Sequence, residues 1–329
     1  MRNFRILVIL GLGLCAQQAK AQIDPHFSQY YASPLWLNPA LTGATDGDYR
    51  VNTNAKQQWG NLNSGYLTAG ASFDMAPTRN LALGAVMTNQ RAGAIGYNQL
   101  NALASASYRI RLGREGEQVI SFGMQAGIIN KSFDASRIIT GSQYNPVLGY
   151  DPGMGINDDI SSDSYLAPDI NAGIMFFDGS GNRKVNVFAG AAVAHLTTPK
   201  DRFVGTSGRL PMRFTGHGGA RIRLNYLLDI TPNLIYLKQG GAQEVAAGAY
   251  AQFMLSPESN LLVGSNYRMD DAASAFLGLH HRNLVFGASY DFSTSTPNRA
   301  AGSRGGLELS VSFTGRRGGM GPNFFLPKL

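Results

Sequence analysis

Between Asn283 and Phe292 the apolar side chains fall on alternate positions. Leu284, Phe286, Ala288, Tyr290 and Phe292 share one face, and Asn283, Gly287, Ser289 and Asp291 share the other, with Val285 as the exception. Gly306 to Thr314 repeats the pattern, with Leu307, Leu309, Val311 and Phe313 set against Gly306, Glu308, Ser310, Ser312 and Thr314. A period of two puts successive side chains on opposite faces of a strand. One apolar face against one small, polar face is the pattern of a strand that crosses a membrane in a barrel. A soluble sandwich also alternates, but its outer face usually carries more charge.

The alternation predicts strands near 49–58, 64–74, 80–90, 99–111, 118–132, 165–177, 184–196, 212–224, 227–238, 244–255, 260–269, 272–280, 283–292 and 306–314. Most are about 9–13 residues long, enough to cross a bilayer at a tilt. The fold class is therefore all-β, a transmembrane antiparallel barrel of 14 strands. Pro232 falls inside the ninth strand, where it implies a bulge or a break.

The connections support the same architecture. The even-numbered ones are short, such as Ala76–Arg79, Leu112–Glu117, Asp178–Arg183 and Pro257–Ser259. All the long ones are odd-numbered: Arg91–Asn98, Phe133–Ser164, Thr197–Pro211 and Ser293–Gly305. Outer-membrane barrels have short periplasmic turns and long external loops. The expected topology thus has both termini in the periplasm and the cell outer membrane as the compartment.

Composition narrows the classes further. Only 15% of residues are charged, against about 25% in ordinary proteins. Met1 to Ala21 reads as a secretory leader, with Arg2 and Arg5, an apolar stretch from Ile6 to Leu14, and Ala19-Lys20-Ala21 as the cleavage site. Cys15, the single cysteine, follows Leu14 rather than the small residue a lipoprotein signal needs. The mature chain then has no thiol chemistry and no disulfide. Removing the leader's three basic residues from 28 leaves 25 against 21 acidic ones, a net of +4. No basic run of the kind that binds nucleic acid is present.

The chain accordingly divides into a leader (1–21), an N-terminal plug or periplasmic segment (22–48), the barrel (49–314) and a C-terminal tail (315–329). A 14-strand lumen is wider than the eight-strand case that side chains alone can fill. The aromatic, turn-rich segment ahead of the first strand, with Phe27, Tyr30 and Trp36, suits the role of a plug.

That segment also carries a resemblance. The stretch QIDPHFSQYYASPLWLNPALTG is similar to the opening of the PorP/SprF family of type IX secretion outer-membrane proteins. The matching positions are Gln22, Asp24, Pro25, Phe27, Ser28, Gln29, Tyr30, Asn38, Pro39, Ala40 and Gly43; the expected plug motif is made of Asp24, Pro25, Phe27, Ser28, Gln29, Tyr30, Asn38, Pro39 and Gly43 together with Trp36, which is not one of the matches. LALGAVMTNQRAGAIGYNQLNALASASYRI, SFGMQAGIINKSFD, YLAPDINAGIMFF, NLVFGASYDFSTS and GGLELSVSF resemble later strands of that family. Members often end at the aromatic residue of the last strand, whereas this chain runs on past Phe313 to Leu329. The resemblance implies a barrel like that of the long-chain fatty-acid transporters. It also implies a non-enzymatic part in type IX secretion, with the secretion machinery and a secreted surface protein, such as a gliding adhesin, as partners. Such a cargo would carry a C-terminal sorting domain.

The chemistry-bearing residues offer little else. His280 and His281 are strand neighbours and point to opposite faces, so they do not chelate one ion together. His26, His195 and His217 are dispersed, with no metal-ligand spacing. No G-x-S-x-G nucleophile motif is present. We expect no enzymatic activity and no cofactor. Asn157-Asp158-Asp159 and Ser161-Ser162-Asp163 could offer oxygen ligands to Ca²⁺, but the spacing is not that of an EF-hand, and a solvated loop is the simpler reading. The connection Phe133–Ser164 is long enough to suggest a binding surface. Its candidate partner-binding residues are Tyr144, Asn145, Tyr150, Asp151, Asp158, Asp159 and Asp163. Two rival functions remain: a transporter of hydrophobic small molecules, which needs an opening in the wall, and a general porin, which needs charged rows along an open lumen.

Overall fold

The structure, a computed structural model, describes residues 24–58, 65–93, 96–113, 117–138, 141–145, 149–151, 163–200, 208–294 and 305–316. The leader, Asp158 and Asp159, and the tail from 317 lie outside the described residues.

The fold is a closed antiparallel barrel of 14 strands. In chain order they are β1 Tyr49–Gln58, β2 Tyr66–Met75, β3 Leu81–Ala92, β4 Tyr97–Leu112, β5 Gln118–Ser132, β6 Ser164–Asp178, β7 Val185–Ala194, β8 Arg213–Arg223, β9 Leu228–Gln239, β10 Ala242–Ser256, β11 Ser259–Arg268, β12 Ala272–His281, β13 Leu284–Ser293 and β14 Gly306–Gly315. Each strand pairs with its sequence neighbours, and β1 closes the wall against β14 in register, from Tyr49↔Gly315 to Gln58↔Gly306. Closure leaves no unpaired edge, which the hydrocarbon core of a bilayer requires.

The two faces are inverted relative to a water-soluble protein. On β1, Asn52, Asn54 and Lys56 are buried while Val51 is exposed. On β14, Glu308 is buried while Leu307, Leu309 and Val311 are exposed. The apolar face points outward and the polar face into the lumen, so the outer face is built for lipid. No helix among the described residues is long and apolar enough to cross a membrane, and the crossing elements are strands.

The even-numbered connections gather at one rim, the short-connection rim. The longest ones, 133–163, 195–212 and 294–305, gather at the other. Two expectations need correction. The connection expected over Arg91–Asn98 is a tight turn, because pairing continues to Ala92↔Tyr97; Gly93 and Gly96 supply the positive φ values of 74° and 66° that close it. Pro232 neither breaks β9 nor inserts a residue. The β9–β10 ladder runs through Pro232↔Ala249, and the β8–β9 pairing simply lapses between Gly219↔Asn233 and Ile222↔Ile230. A proline has no N–H to donate across that gap.

β1 begins and β14 ends at the short-connection rim. The segment ahead of β1 starts elsewhere. Asp24 touches His195, Arg213 and Gln239, which stand beside the long-connection rim. Asn38 reaches the middle of β6 and β7, and Gly43 meets Asp74 at the far end of β2. Residues 24–48 therefore run the length of the lumen. The described chain begins at one rim and ends at the other.

Candidate functional site

The inner segment folds through three short turns, Tyr30–Ala32, Pro34–Leu37 and Pro39–Leu41. Pro34 and Pro39 each occupy a first helical position, where their fixed φ helps and no N–H is missed. Asn38 is fully buried and holds the second join. Its Oδ1 accepts from the Ala40 N–H at 2.9 Å, and its Nδ2 donates to the Ile174 carbonyl at 3.0 Å. The wall makes room for it with Gly123 and Gly173, paired on β5 and β6. A Cβ on Gly123 would stand 2.2 Å from the Pro39 carbonyl carbon, and one on Gly173 2.1 Å from Asn38 Oδ1. The Asn-Pro-Ala stretch is thus seated by two glycines far away in sequence.

An apolar cluster joins the segment to the inner wall. Tyr30, Leu37, Ala40 and Leu41 pack with inward-facing Val119, Met175, Phe177, Phe188, Ile235 and Leu237. Trp36 donates to the Pro25 carbonyl at 2.9 Å and lies under the Arg213 guanidinium, 4.6 Å from the ring centroid. Phe27 is buried beside Gly70, where a Cβ would approach its ring at 3.0 Å.

Three charged clusters tie the segment to the wall. In the first, Glu308 accepts from the Ser28 N–H at 2.6 Å and the Gln29 N–H at 3.3 Å. Ser28 Oγ donates to Asp291 at 2.6 Å and accepts from Lys56 at 2.9 Å and Arg268 at 3.0 Å. Lys56 and Arg268 both pair with that same Asp291, at 3.2 and 3.0 Å. Gln29 donates to Ser289 and accepts from Ser310. In the second, near the short-connection rim, Asp74 accepts from the Gly43 N–H at 2.6 Å and holds Arg50 through two nitrogens. Gly43 has φ 67°, and a Cβ there would stand 2.3 Å from that of Ala82.

The third cluster holds the start of the segment. Asp24 Oδ2 meets His195 Nε2 at 2.5 Å and Arg213 at 3.2 Å, and His195 Nδ1 meets Asp169 at 3.0 Å. Carboxylates on both ring nitrogens favour an imidazolium. Burial works against the charge on His195, but the Asp24 charge and the Asp169 hydrogen bond outweigh it and raise the pKa to about 9. Burial likewise pushes Asp24 up, yet the His195 and Arg213 charges hold its carboxyl well below the usual range.

A pH dependence follows. The raised pKa of His195 gives stabilisation that is complete below its ordinary value of 6.5 and lost as pH rises through about 9. The depressed pKa of Asp24 gives stabilisation present above its ordinary value of 3.8 and lost only in acid. The hold on the segment should be firmest below about pH 6.5, weaken progressively above it, and reach its lower limit once the pH passes about 9. Hydrogen exchange of the amides in 24–30, corrected for intrinsic base catalysis, should rise across that range, and His195→Gln should remove the rise. Protection unchanged between pH 7 and 10 would defeat this reading.

Of the plug-motif residues, Asp24, Phe27, Ser28, Gln29, Tyr30, Trp36, Asn38, Pro39 and Gly43 thus meet the inner wall, while the Pro25 carbonyl accepts a hydrogen bond from Trp36. Their wall partners Lys56, Asp74, Asp169, His195, Arg213, Arg268, Asp291 and Glu308 escaped the sequence reading. The available signal was charge on the small, polar face of a lipid-crossing strand, as at Asp291 and Glu308. The dispersed histidines also find partners: His195 as above, and His217, whose Nε2 lies 3.1 Å from Asn38 Nδ2. His280 bonds Asn260 and His281 bonds Ser259. No group of three or more acidic, histidine or cysteine residues among the described ones suits a metal ion.

The long connection carries a two-residue hairpin, Tyr144–Asn145 against Gly149–Tyr150. Tyr144 is 63% exposed, the Asp151 N–H donates to the Gln143 carbonyl at 3.0 Å, and Asp151 and Asp163 are exposed.

A family profile described as type IX secretion system membrane protein PorP/SprF matches residues 19–313, nearly the whole chain. The chain belongs to the PorP/SprF family. No curated protein sequence matches it. Among solved structures it resembles the CymD monoaromatic hydrocarbon channel at 13% identity and TM-score 0.51, over 91% of this chain and 97% of that one. The Ralstonia pickettii toluene transporter TbuX aligns at 12% identity and TM-score 0.49, over 84% and 90%. A Pseudomonas aeruginosa FadL homologue aligns at 12% and 0.45, over 84% and 92%. The likeness to CymD bears on fold alone. Family and barrel together point to a type IX secretion protein of the outer membrane.

Proposed function

We propose that this PorP/SprF barrel is a non-catalytic docking component of type IX secretion, closed by its own N-terminal segment. The long connections face the cell surface and hold the C-terminal sorting domain of a secreted protein, while the short-connection rim meets the machinery in the periplasm. The observation that carries this reading is the inner segment, bonded to the wall from one rim to the other, which leaves the outer loops as the working surface. In this topology β1 starts and β14 ends on the periplasmic side, and Asp24 lies toward the cell surface.

Orientation is tested by cysteine labelling. A cysteine at Tyr144 should react with a membrane-impermeant maleimide on intact cells. Ser180 would be a poor counterpart, because it is buried against Asp178. Its exposed neighbour Asn182 should react only after lysis. The reverse pattern inverts the topology.

The docking surface is tested by co-purification from detergent-solubilised outer membrane. Rigid aromatic rings give contact area at low entropic cost, and a few of them often carry most of the binding energy. Tyr144→Ala with Tyr150→Ala should weaken retention of the secreted protein at unchanged barrel levels. Deletion of most of 133–163 with full retention would move the docking surface elsewhere.

The second reading is passage of hydrophobic molecules, since one of the barrels above is described as a monoaromatic hydrocarbon channel. Hydrocarbon uptake by reconstituted full-length protein would favour it over docking.

A further inference from the structure

The outer wall is thin over β8. On β8, Gly216, Gly218 and Ala220 occupy the outward positions between Phe214 and Ile222. Beside them on β7 stand Ala191, paired with Gly216, and Ala189, paired with Gly218. On the other side β9 raises Leu234 and Tyr236, both exposed. Gly216, Gly218 and Ala220, flanked by Leu234 and Tyr236, leave a groove of about 650 Å³ over β8 and β9, which Pro232 borders where the β8–β9 pairing lapses. A Cβ on Gly216 would meet nothing within 4 Å, so the groove is open there. His217 also lines it, is only 5% exposed, and has no hydrogen-bond partner for Nδ1.

This groove sits among outward-facing Phe214, Val187, Leu234 and Tyr236, which are exposed on the apolar face. The bilayer covers that face. An unfilled hollow against lipid forfeits dispersion contacts on both sides. Small residues on a membrane-facing surface permit close approach of whatever packs there. Gly216 to Ala220 spans about 13 Å of strand, at roughly 3.3 Å per residue. That favours a single extended hydrocarbon chain over a bulky headgroup.

We propose that the groove over β8 and β9 is a specific site for one acyl chain of a membrane phospholipid, held more firmly than the lipid around the rest of the barrel. The chain fills the hollow where the ladder lapses and seals the wall in front of the polar lumen. The proposal is independent of the docking reading, because it rests on the outer face alone.

The test uses the full-length protein in phosphatidylethanolamine vesicles containing a phosphatidylethanolamine with a diazirine on one acyl chain. After illumination, adducts on peptides from 185–239 should exceed those from 97–132 by about fivefold and saturate with probe content, as site binding does. Gly216→Leu, which fills the groove, should bring labelling down to the level of the remaining wall. Ala106→Leu, on the outward face of β4, should change nothing. Saturation in the unaltered protein needs no variant and stands even if Gly216→Leu does not assemble. Labelling spread evenly around the wall, or unaffected by Gly216→Leu, would overturn the proposal. So would labelling seen only with a free diazirine fatty acid.

Discussion

Deleting residues 24–42 should turn a barrel that passes no current into one that opens stepwise channels in a planar bilayer. The wall closes through β1–β14 pairing without help from this segment, so assembly should survive its removal. The lumen would change completely. The inner apolar cluster loses Tyr30, Leu37, Ala40 and Leu41, and the space they fill becomes available to water. Lys56, Arg268, Asp291 and Glu308, now covered by Ser28 and Gln29, would line a hydrated path. Heat-modifiable migration in SDS gels checks that the variant is still a barrel. A correctly assembled variant with no conductance and full secretion would mean that side chains and loops close the lumen by themselves.

Asp291→Ala should cost more stability than any other single change in the wall network. Its Oδ2 is shared by Ser28, Lys56 and Arg268, and all three side chains are almost inaccessible to solvent. Removing a carboxylate from a buried cluster leaves uncompensated charge, a loss of about 3–5 kcal/mol. Ser289→Ala removes one neutral hydrogen bond to Gln29, and about 1 kcal/mol is expected there. Urea unfolding of the detergent-solubilised or vesicle-bound barrel would measure both. Equal losses for the two variants would show that the cluster is hydrated rather than dry. Asp291→Ala should also loosen 24–30 in hydrogen exchange, because it removes a partner of Ser28.

The strands were legible because their cause is local. Lipid on one side and a polar lumen on the other impose a period of two on every crossing segment, and that period can be read residue by residue. β1 matches its expected limits, β13 is displaced by one residue at both ends, and β14 runs one residue longer. The tight turn between β3 and β4 was less legible, because only pairing across the sheet shows that Ala92 and Tyr97 still belong to the ladder. The effect of Pro232 was misjudged for a related reason. A missing N–H on one side of a strand need not disturb the other, and both neighbours must be known to tell.

The inner segment divides along the same line. Its aromatic content and its turn residues already set it apart from a free tail, since such side chains demand burial. Its path does not follow from them. Ser28 meets Glu308 across 280 positions, and Asp24 meets His195 across 171. Gly123 and Gly173 look like any small residues of a strand until Asn38 and Pro39 are placed against them. Alternation, closure by an even number of strands and the demand for a lumen filling are properties of the sequence by itself. The rim at which the segment begins, the carboxylates that hold it and the groove left over β8 and β9 were decided only when the barrel closed. Closure sets which distant side chains share one dry interior, and no local pattern contains that distance.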